Sequence, residues 1–329
     1  MVSYNRHEVT GMHKLEENIN SLTKKILLDY QNNRTIDEVK TFDHPDNEDI
    51  VNIIEALRRI VFPGYFRNKS YRVYTVRNNI TMILEDVIFK LIRQISIVLR
   101  YDKKYVDLND DEINENAERI TFEFLDKLPK IRSYIETDVQ AAYDGDPAAY
   151  NKDEIIYSYP GLYAILVNRL AHELFLLGVP LIPRVMTEHA HSKTGIDIHP
   201  GATIGKYFFI DHGTGIVIGE TTEIGDNVKV YQGVTLDALS TRGGQSLRNK
   251  KRHPTIEDNV TIYSGASILG GETVVGKNAV IGGNAFITRS IPAGAKVSIK
   301  NQELRYNFDS QIPVQKSDVD PDETWFYVI

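Results

Sequence analysis

Aliphatic residues recur with a period of six between residues 195 and 289. The positions are Ile198, Ile204, Ile210, Ile218, Ile224, Val230 and Leu236, then Ile256, Ile262, Ile268, Val275, Ile281 and Ile287. Neither an α-helix nor an ordinary β-strand has this period. It is typical of a left-handed β-helix, in which each coil has three short faces and each face turns one aliphatic residue inward. We therefore predict a three-sided prism of coils over residues 191–295.

Residues 1–190 lack this period and show the three- and four-residue spacings of amphipathic helices. The predicted helices are Leu15–Tyr30, Asp46–Phe62, Val73–Leu99, Asp110–Tyr143 and Ile155–Leu177. Pro129 should kink or split the fourth of these, and Gly178, Pro180 and Pro183 should end the last. The predicted fold class is α+β: an all-α region of residues 1–190 packs against the β-helix, and an extended tail covers residues 296–329.

The six-residue period is interrupted between Asp237 and Thr255. Because the spacing from Leu236 to Ile256 is not a multiple of six, the extra residues must leave the prism as a protruding loop. Most of the charged side chains of this loop are basic. They are Arg242, Arg248, Lys250, Lys251 and Arg252, and His253 follows them. Its position inside a regular coil favours a ligand-binding role over that of a solvated insertion.

Composition narrows the classes of function. The 329-residue chain has a formal net charge of −7, which disfavours nucleic acid as a partner. It contains no cysteine, so disulfides, thiolate metal ligands and a cysteine nucleophile are excluded. The N-terminal stretch lacks an apolar core and no apolar run is long enough to span a bilayer, so we expect no membrane association and a cytoplasmic location.

Three pairs of polar residues in or beside the predicted coils could carry chemistry: Asp197 with His199, Asp211 with His212, and Arg252 with His253. A carboxylate close to an imidazole is the common arrangement of a general base. Without a cysteine, and with Ser264 and Ser267 at regular coil positions, direct transfer with a histidine base is favoured over a covalent intermediate.

Two alternatives stay open at this point. A single histidine on a β-helix is often only a surface residue. His189, His191 and His199 could also be metal ligands, because the His-x-His spacing suits zinc. No supporting carboxylate stands at a recognisable interval, so we predict no metal site.

Several segments together resemble the serine O-acetyltransferases, a hexapeptide-repeat family that makes O-acetylserine from serine and acetyl-CoA before cysteine synthesis. The segments are Asp197–Ala202, Ile210–Thr221, Val234–Leu236, Arg252–Pro254 and, upstream, Asp144–Ala149. In the last of these, Gly145 replaces the arginine of the family's motif. The resemblance is specific from about residue 138 to residue 291 and again in the tail.

The resemblance implies roles for individual residues. His212 resembles the general base that takes the serine hydroxyl proton, and Asp197 resembles its orienting partner. The serine-binding shell would consist of Asp146, Asp211, Arg252 and His253. Acetyl-CoA, a co-substrate rather than a permanently bound cofactor, would lie along a coil groove between subunits, near Ser264, Gly265, Gly282 and Gly283, with Lys277 as a further candidate contact.

The resemblance also implies partners. The prism would form a homotrimer, and two trimers would pair through their helical regions. The tail ends in Ile329, which resembles the terminal isoleucine that enters the active site of cysteine synthase. Two other classes of function are kept as alternatives: a hexapeptide acetyltransferase acting on a sugar or another hydroxyl, and a non-catalytic scaffold. A metal-dependent hydratase of the same fold lacks support because there is no clear three-histidine set.

Overall fold

A computed structural model describes residues 6–32, 34–37, 44–66, 75–248 and 250–299. The chain divides into two units, residues 1–44 and residues 45–329. The first unit contains helix α1, Arg6–Asp29, and a short 3-10 turn, Tyr30–Asn32. This confirms the helix predicted over Leu15–Tyr30 and extends it toward the N-terminus. The predicted tail from residue 300 onward, including Ile329, lies outside the described residues.

Helices fill the second unit up to Thr194. They are α2 Asn47–Val61, α3 Val76–Leu99, α4 Asp110–Leu125, α5 Leu128–Gly145, α6 Lys152–Ser158, α7 Pro160–Leu176 and α8 Ile182–Thr194. The predicted split near Pro129 is confirmed, because α4 ends and α5 begins there, with the proline in the first turn of α5. None of the described helices is both long enough and apolar enough to cross a membrane.

Two predictions about the helices are wrong in the same way. The single helix expected from Ile155 to Leu177 is divided at Tyr159, and Pro160 begins the second part. The sequence does not predict helix α8, because Pro183 has the position of a stop signal, yet Pro183 lies in the first turn of this helix. The first-turn N–H groups of a helix have no intrahelical partner, so a proline there loses no hydrogen bond and starts a helix as well as it ends one.

The β-helix follows and is built from short parallel strands. They are β1 Asp197–Ile198, β2 Thr203–Ile204, β3 Phe209–Asp211, β4 Val217–Ile218, β5 Glu223–Ile224, β6 Lys229–Tyr231, β7 Thr235–Asp237, β8 Thr255–Ile256, β9 Thr261–Ile262, β10 Ser267–Leu269, β11 Val274–Val275, β12 Val280–Ile281, β13 Phe286–Ile287 and β14 Lys296–Val297. Three sheets result, with strand orders β1-β4-β7-β10-β13, β2-β5-β8-β11 and β3-β6-β9-β12-β14. Every aliphatic residue of the six-residue period is buried, which confirms the predicted inward positions.

Helices α5 and α7 are fixed to the β-helix by a buried ion pair. The Arg169 guanidinium donates to both carboxylate oxygens of Asp138, at 2.7 and 2.8 Å, and also to the carbonyls of Ile204 and Gly205. Asp138 in turn accepts the N–H of Phe208 at 3.0 Å. The pair therefore joins two helices to the turn before β3, as expected for a helical region packed against the coils.

The predicted loop is also present. It leaves the prism after β7 and returns at β8, with a 3-10 turn at Gly244–Leu247. The coil therefore continues at the next face as though the insertion were absent, since β5 pairs with β8 and β7 pairs with β10.

Candidate active site

Most of the predicted site residues lie on or beside two different edges of the prism. The His212 edge is made of the turns that join the third sheet to the first: residues 212–216, 232–234, 263–266 and 282–285. The Arg252 edge is made of the turns that join the first sheet to the second: residues 199–202, 219–222, 238–248 with 250–254, and 270–273. A single chain therefore presents two clusters, one on each edge.

The His212 edge is irregular at its catalytic candidate. Ile210 and Ile218 are eight positions apart instead of six, and the chain accommodates the excess with two successive left-handed residues, His212 at φ 57° and Gly213 at φ 91°. A Cβ at Gly213 would lie 2.6 Å from Ile196, so glycine is required there. The turn pushes the imidazole outward, where its side chain is 62% exposed and Nε2 lies 3.8 Å from Asp211 Oδ1.

Asp146 joins this cluster from the end of α5. Its Oδ1 accepts the Ala148 N–H at 2.8 Å, and its Oδ2 accepts the hydroxyl of Tyr159 at 2.5 Å. The Tyr159 hydrogen bond is the main reason why the pKa of Asp146 lies below its usual value, and the Ala148 hydrogen bond and the electrostatic influence of nearby His212 and Lys229 act in the same direction. The structure therefore places Asp146 and Asp211 near His212, and the roles of the three residues stay predictions.

Gly145 has a structural reason to lack a side chain. A Cβ at this position would lie 2.7 Å from the Phe209 ring, so the arginine of the resembling motif does not fit here. The Gly145 carbonyl instead accepts a hydrogen bond from Lys229 Nζ at 2.7 Å, and the ammonium lies over the rings of Phe209 and Tyr231. A cation thus stands beside Asp146 although the motif's arginine is missing.

Asp197 makes different contacts from those predicted. Its carboxylate lies 3.6 Å from the Arg184 guanidinium, and no hydrogen bond joins it to His212 within the described part of the chain. Its role as the partner of the base stays a prediction.

Possible ligand atoms of Asp197, Glu188 and His191 lie within 4.8 Å of one another. Arg184 pairs with both carboxylates and so already supplies the positive charge that a metal ion would bring.

His253 on the Arg252 edge is buried, and both of its ring nitrogens are engaged. Nδ1 accepts the Thr221 N–H at 3.0 Å, so the ring proton is assigned to Nε2, which lies 3.1 Å from Asp237 Oδ1 and donates to it. This hydrogen bond is the main reason why the pKa of Asp237 is lowered. The sequence did not single out Asp237, because its pairing with His253 arises only when the loop closes.

Arg252 is held by an ion pair with Glu220, and its backbone N–H donates to Thr221 Oγ1. Neither Glu220 nor Thr221 was singled out from the sequence, although both stand in one of the quoted motif segments. His199 lies on the same edge, and its burial lowers the pKa of the imidazole to about 4, which keeps the ring neutral.

Four of the five predicted acetyl-CoA contacts lie on the His212 edge. Ser264 and Gly265 form the turn before β10, and Gly282 and Gly283 form the turn before β13. Gly265 stacks above Gly215 and Gly233, all three with positive φ, so this part of the edge is bare backbone. Lys277 lies on the third edge and pairs with Asp258 at 3.0 Å. Within one chain Lys277 is therefore on a different edge from the other four predicted contacts, and its role stays a prediction.

Comparison with known proteins decides the family. The chain is 44% identical over 272 residues to a plasmid-encoded serine acetyltransferase of Synechococcus elongatus, an alignment that covers 81% of this chain and 85% of the relative. The chain belongs to the serine acetyltransferase family. It is therefore an acyltransferase, and the resemblance and fold class predicted from the sequence are confirmed. No family model matches.

Other relatives agree with this assignment. A serine acetyltransferase of Bacillus subtilis is 48% identical over 128 residues, which is 39% of this chain and 56% of the relative. Among solved structures, Entamoeba histolytica serine acetyltransferase isoform 3 in complex with cysteine aligns at 33% identity with a TM-score of 0.66, covering 88% of this chain and 95% of that one. Neisseria gonorrhoeae serine acetyltransferase in complex with serine aligns at 25% identity with a TM-score of 0.50, covering 75% and 95%.

Proposed function

We propose that this protein transfers the acetyl group of acetyl-CoA to the hydroxyl of L-serine, giving O-acetyl-L-serine and CoA as the first step of cysteine synthesis. The observation that carries the proposal is the exposed imidazole of His212, which lies 3.8 Å from the carboxylate of Asp211 and near that of Asp146, on an edge where three glycines leave the backbone bare. Membership of the serine acetyltransferase family supports the choice of acceptor.

His212 acts as the general base. It removes the hydroxyl proton of serine as the oxygen attacks the thioester carbonyl, and the tetrahedral oxyanion that forms then expels the CoA thiolate. The thiolate takes the proton from the imidazolium and leaves as the thiol, so the base is regenerated. His253 is unsuited to this step, because both of its nitrogens are engaged by Thr221 and Asp237. The chain has no cysteine to form an acyl-enzyme, which agrees with direct transfer.

Recognition of an amino acid needs opposite charges at its two ends. Asp146 and Asp211 bind the ammonium group, and Arg252 binds the carboxylate, for which a guanidinium is well shaped. Because Arg252 lies on the other edge of the prism, the complete site is formed between neighbouring copies in a homotrimer, alone or paired as a dimer of trimers. Acetyl-CoA lies along the same groove, where the glycines of the His212 edge permit close approach.

The replacement of His212 by alanine tests the proposed base. We expect kcat for CoA release from acetyl-CoA with serine to fall by about two to four orders of magnitude, because the acceptor hydroxyl loses its proton acceptor. The KM for acetyl-CoA should change little, since the edge glycines are untouched. Turnover near that of the parent protein would remove His212 as the base. Acetylation of a sugar but not of serine would overturn the choice of acceptor.

The C-terminal residues supply a second proposal. Ile329 and its terminal carboxylate bind in the active site of cysteine synthase, as a short peptide anchored by one apolar side chain. The closing aromatic and aliphatic residues of an otherwise acidic tail support this. Removal of Ile329 should abolish co-elution with cysteine synthase and leave the acetyl-transfer rate unchanged. Co-elution that survives the deletion would show that another surface makes the contact.

A further inference from the structure

Asp146 is held from two sides by residues that have no part in the proposed chemistry. On one side Tyr159, the residue that separates α6 from α7, donates its hydroxyl hydrogen to Asp146 Oδ2. On the other side Lys229, on β6, donates to the carbonyl of Gly145, the residue immediately before Asp146. One contact fixes the carboxylate and the other fixes the backbone that carries it.

Both contacts come from elements attached to β3 and β6, the strands that lead into the His212 edge. Lys229 is on β6, which pairs with β3, and α7, which begins directly after Tyr159, packs so closely on β3 that a Cβ at Gly161 would lie 2.8 Å from the carbonyl oxygen of Ile210. The geometry of Asp146 is therefore tied to the same strands that place Asp211 and His212. A carboxylate that is half-buried, ionised and held in this way is suited to receive a substrate ammonium without first reorganising.

We propose that Tyr159 and Lys229 are positioning residues for acceptor recognition, which hold Asp146 oriented to bind the ammonium group of the amino-acid acceptor. This inference rests on the proposed function. The inference goes beyond the proposed function because it names two residues that need not touch the substrate. These residues allow the enzyme to discriminate between an amino acid and a hydroxy acid without an amino group.

The test compares Tyr159→Phe and Lys229→Met with the parent protein. Each variant keeps most of the bulk of the side chain and removes one hydrogen bond, and Lys229→Met also removes a positive charge. We expect the KM for serine to rise about 10- to 150-fold in each, the range for loss of a hydrogen bond that involves a charged group. The KM for acetyl-CoA and kcat at saturating serine should stay within about twofold, since His212 and the glycine edge are unchanged.

Tyr65→Phe is a matched control. The hydroxyl of Tyr65 also donates to a carboxylate, Asp153 Oδ1, at 2.5 Å, but this pair is at the surface and outside the site. Tyr65→Phe removes the same kind of hydrogen bond but does not affect Asp146. Its KM for serine should therefore equal that of the parent protein. Thermal unfolding of all three variants checks that they are folded.

A second acceptor separates positioning from a general structural effect. 3-Hydroxypropanoate is serine without its amino group, so its reaction should be insensitive to Asp146. The variants should lower kcat/KM for serine and leave that for 3-hydroxypropanoate unchanged. Both reactions use His212 as the base, so the effect of its protonation cancels in the ratio of the two kcat/KM values. Since the Tyr159 hydrogen bond lowers the pKa of Asp146, its removal should move the acidic fall of that ratio to higher pH.

The outcomes are distinct. Equal losses with the two acceptors, or an unchanged serine KM in both variants, would overturn the positioning role while serine acetylation by the parent protein upholds the proposed function. Absence of serine acetylation by the parent would overturn the proposed function and this inference with it.

Discussion

Gly219 shows how tightly single residues are constrained on the Arg252 edge. A Cβ at this position would lie 2.1 Å from Cδ2 of His253, so the buried imidazole occupies the space where any other residue would have a side chain. The ring is not the free end of a flexible chain, since Thr221 and Asp237 hold both nitrogens. The glycine is thus a condition for the position of His253.

We expect Gly219→Ala to displace the imidazole and break its hydrogen bond to Asp237. Overpacking of this kind costs about 1–3 kcal/mol, which urea unfolding would detect. The paired variant Gly219→Ala/His253→Ala makes room for the new methyl group. It should therefore be less destabilised than the sum of the two single variants, a coupling that a double-mutant cycle measures. Strictly additive losses would show that the two residues do not compete for the same space.

At the residue scale, the sequence could predict chemistry only where it breaks a pattern. Asp211 and His212 stand out because the six-residue period fails after Ile210, and the positive φ of His212 is the local result. Asp237 and Tyr159 break no pattern. Their importance comes from partners distant in sequence, His253 and Asp146, and neither spacing nor composition reveals such a pairing.

Among the elements, the β-helix was the most predictable because each coil repeats the same requirement. Every face must bury one aliphatic side chain, so the period in the sequence is the period of the structure, and all the predicted inward residues are buried. The helices gave a weaker signal, because a proline is found both where a helix ends and in the first turn of a new helix. Pro160 and Pro183 lie in the first turns of α7 and α8, where the pattern of apolar residues alone did not show a new helix.

The junction between helices and coils could not be predicted from periodicity. Arg169 and Asp138 are both buried, in α7 and α5 respectively, and a charged residue in an apolar helix has no assigned partner until the fold is known. The pair matters for the site because α5 ends at Gly145, next to Asp146. The helix that ends beside Asp146 is therefore fixed by an ion pair about two turns away.

At the scale of the whole molecule, the division of the site between two edges has a direct consequence. His212 and Asp146 belong to one edge, and Arg252 belongs to another. If serine must touch both sets, no chain can acetylate it alone, and the assembly must bring the His212 edge of one copy to the Arg252 edge of the next. A closed ring of three identical copies satisfies this requirement at every interface.

Subunit mixing tests this arrangement. His212→Ala and Arg252→Ala should each be nearly inactive when expressed alone. When the two are co-expressed, some interfaces combine an intact His212 edge with an intact Arg252 edge, and random assembly should restore about a quarter of the parent rate. The matched control mixes His212→Ala with Asp146→Ala, whose defects lie on the same edge, so that no interface regains a complete set. Rescue of the first mixture but not of the second would locate the site between copies, whereas failure of both would mean that each chain completes its own site.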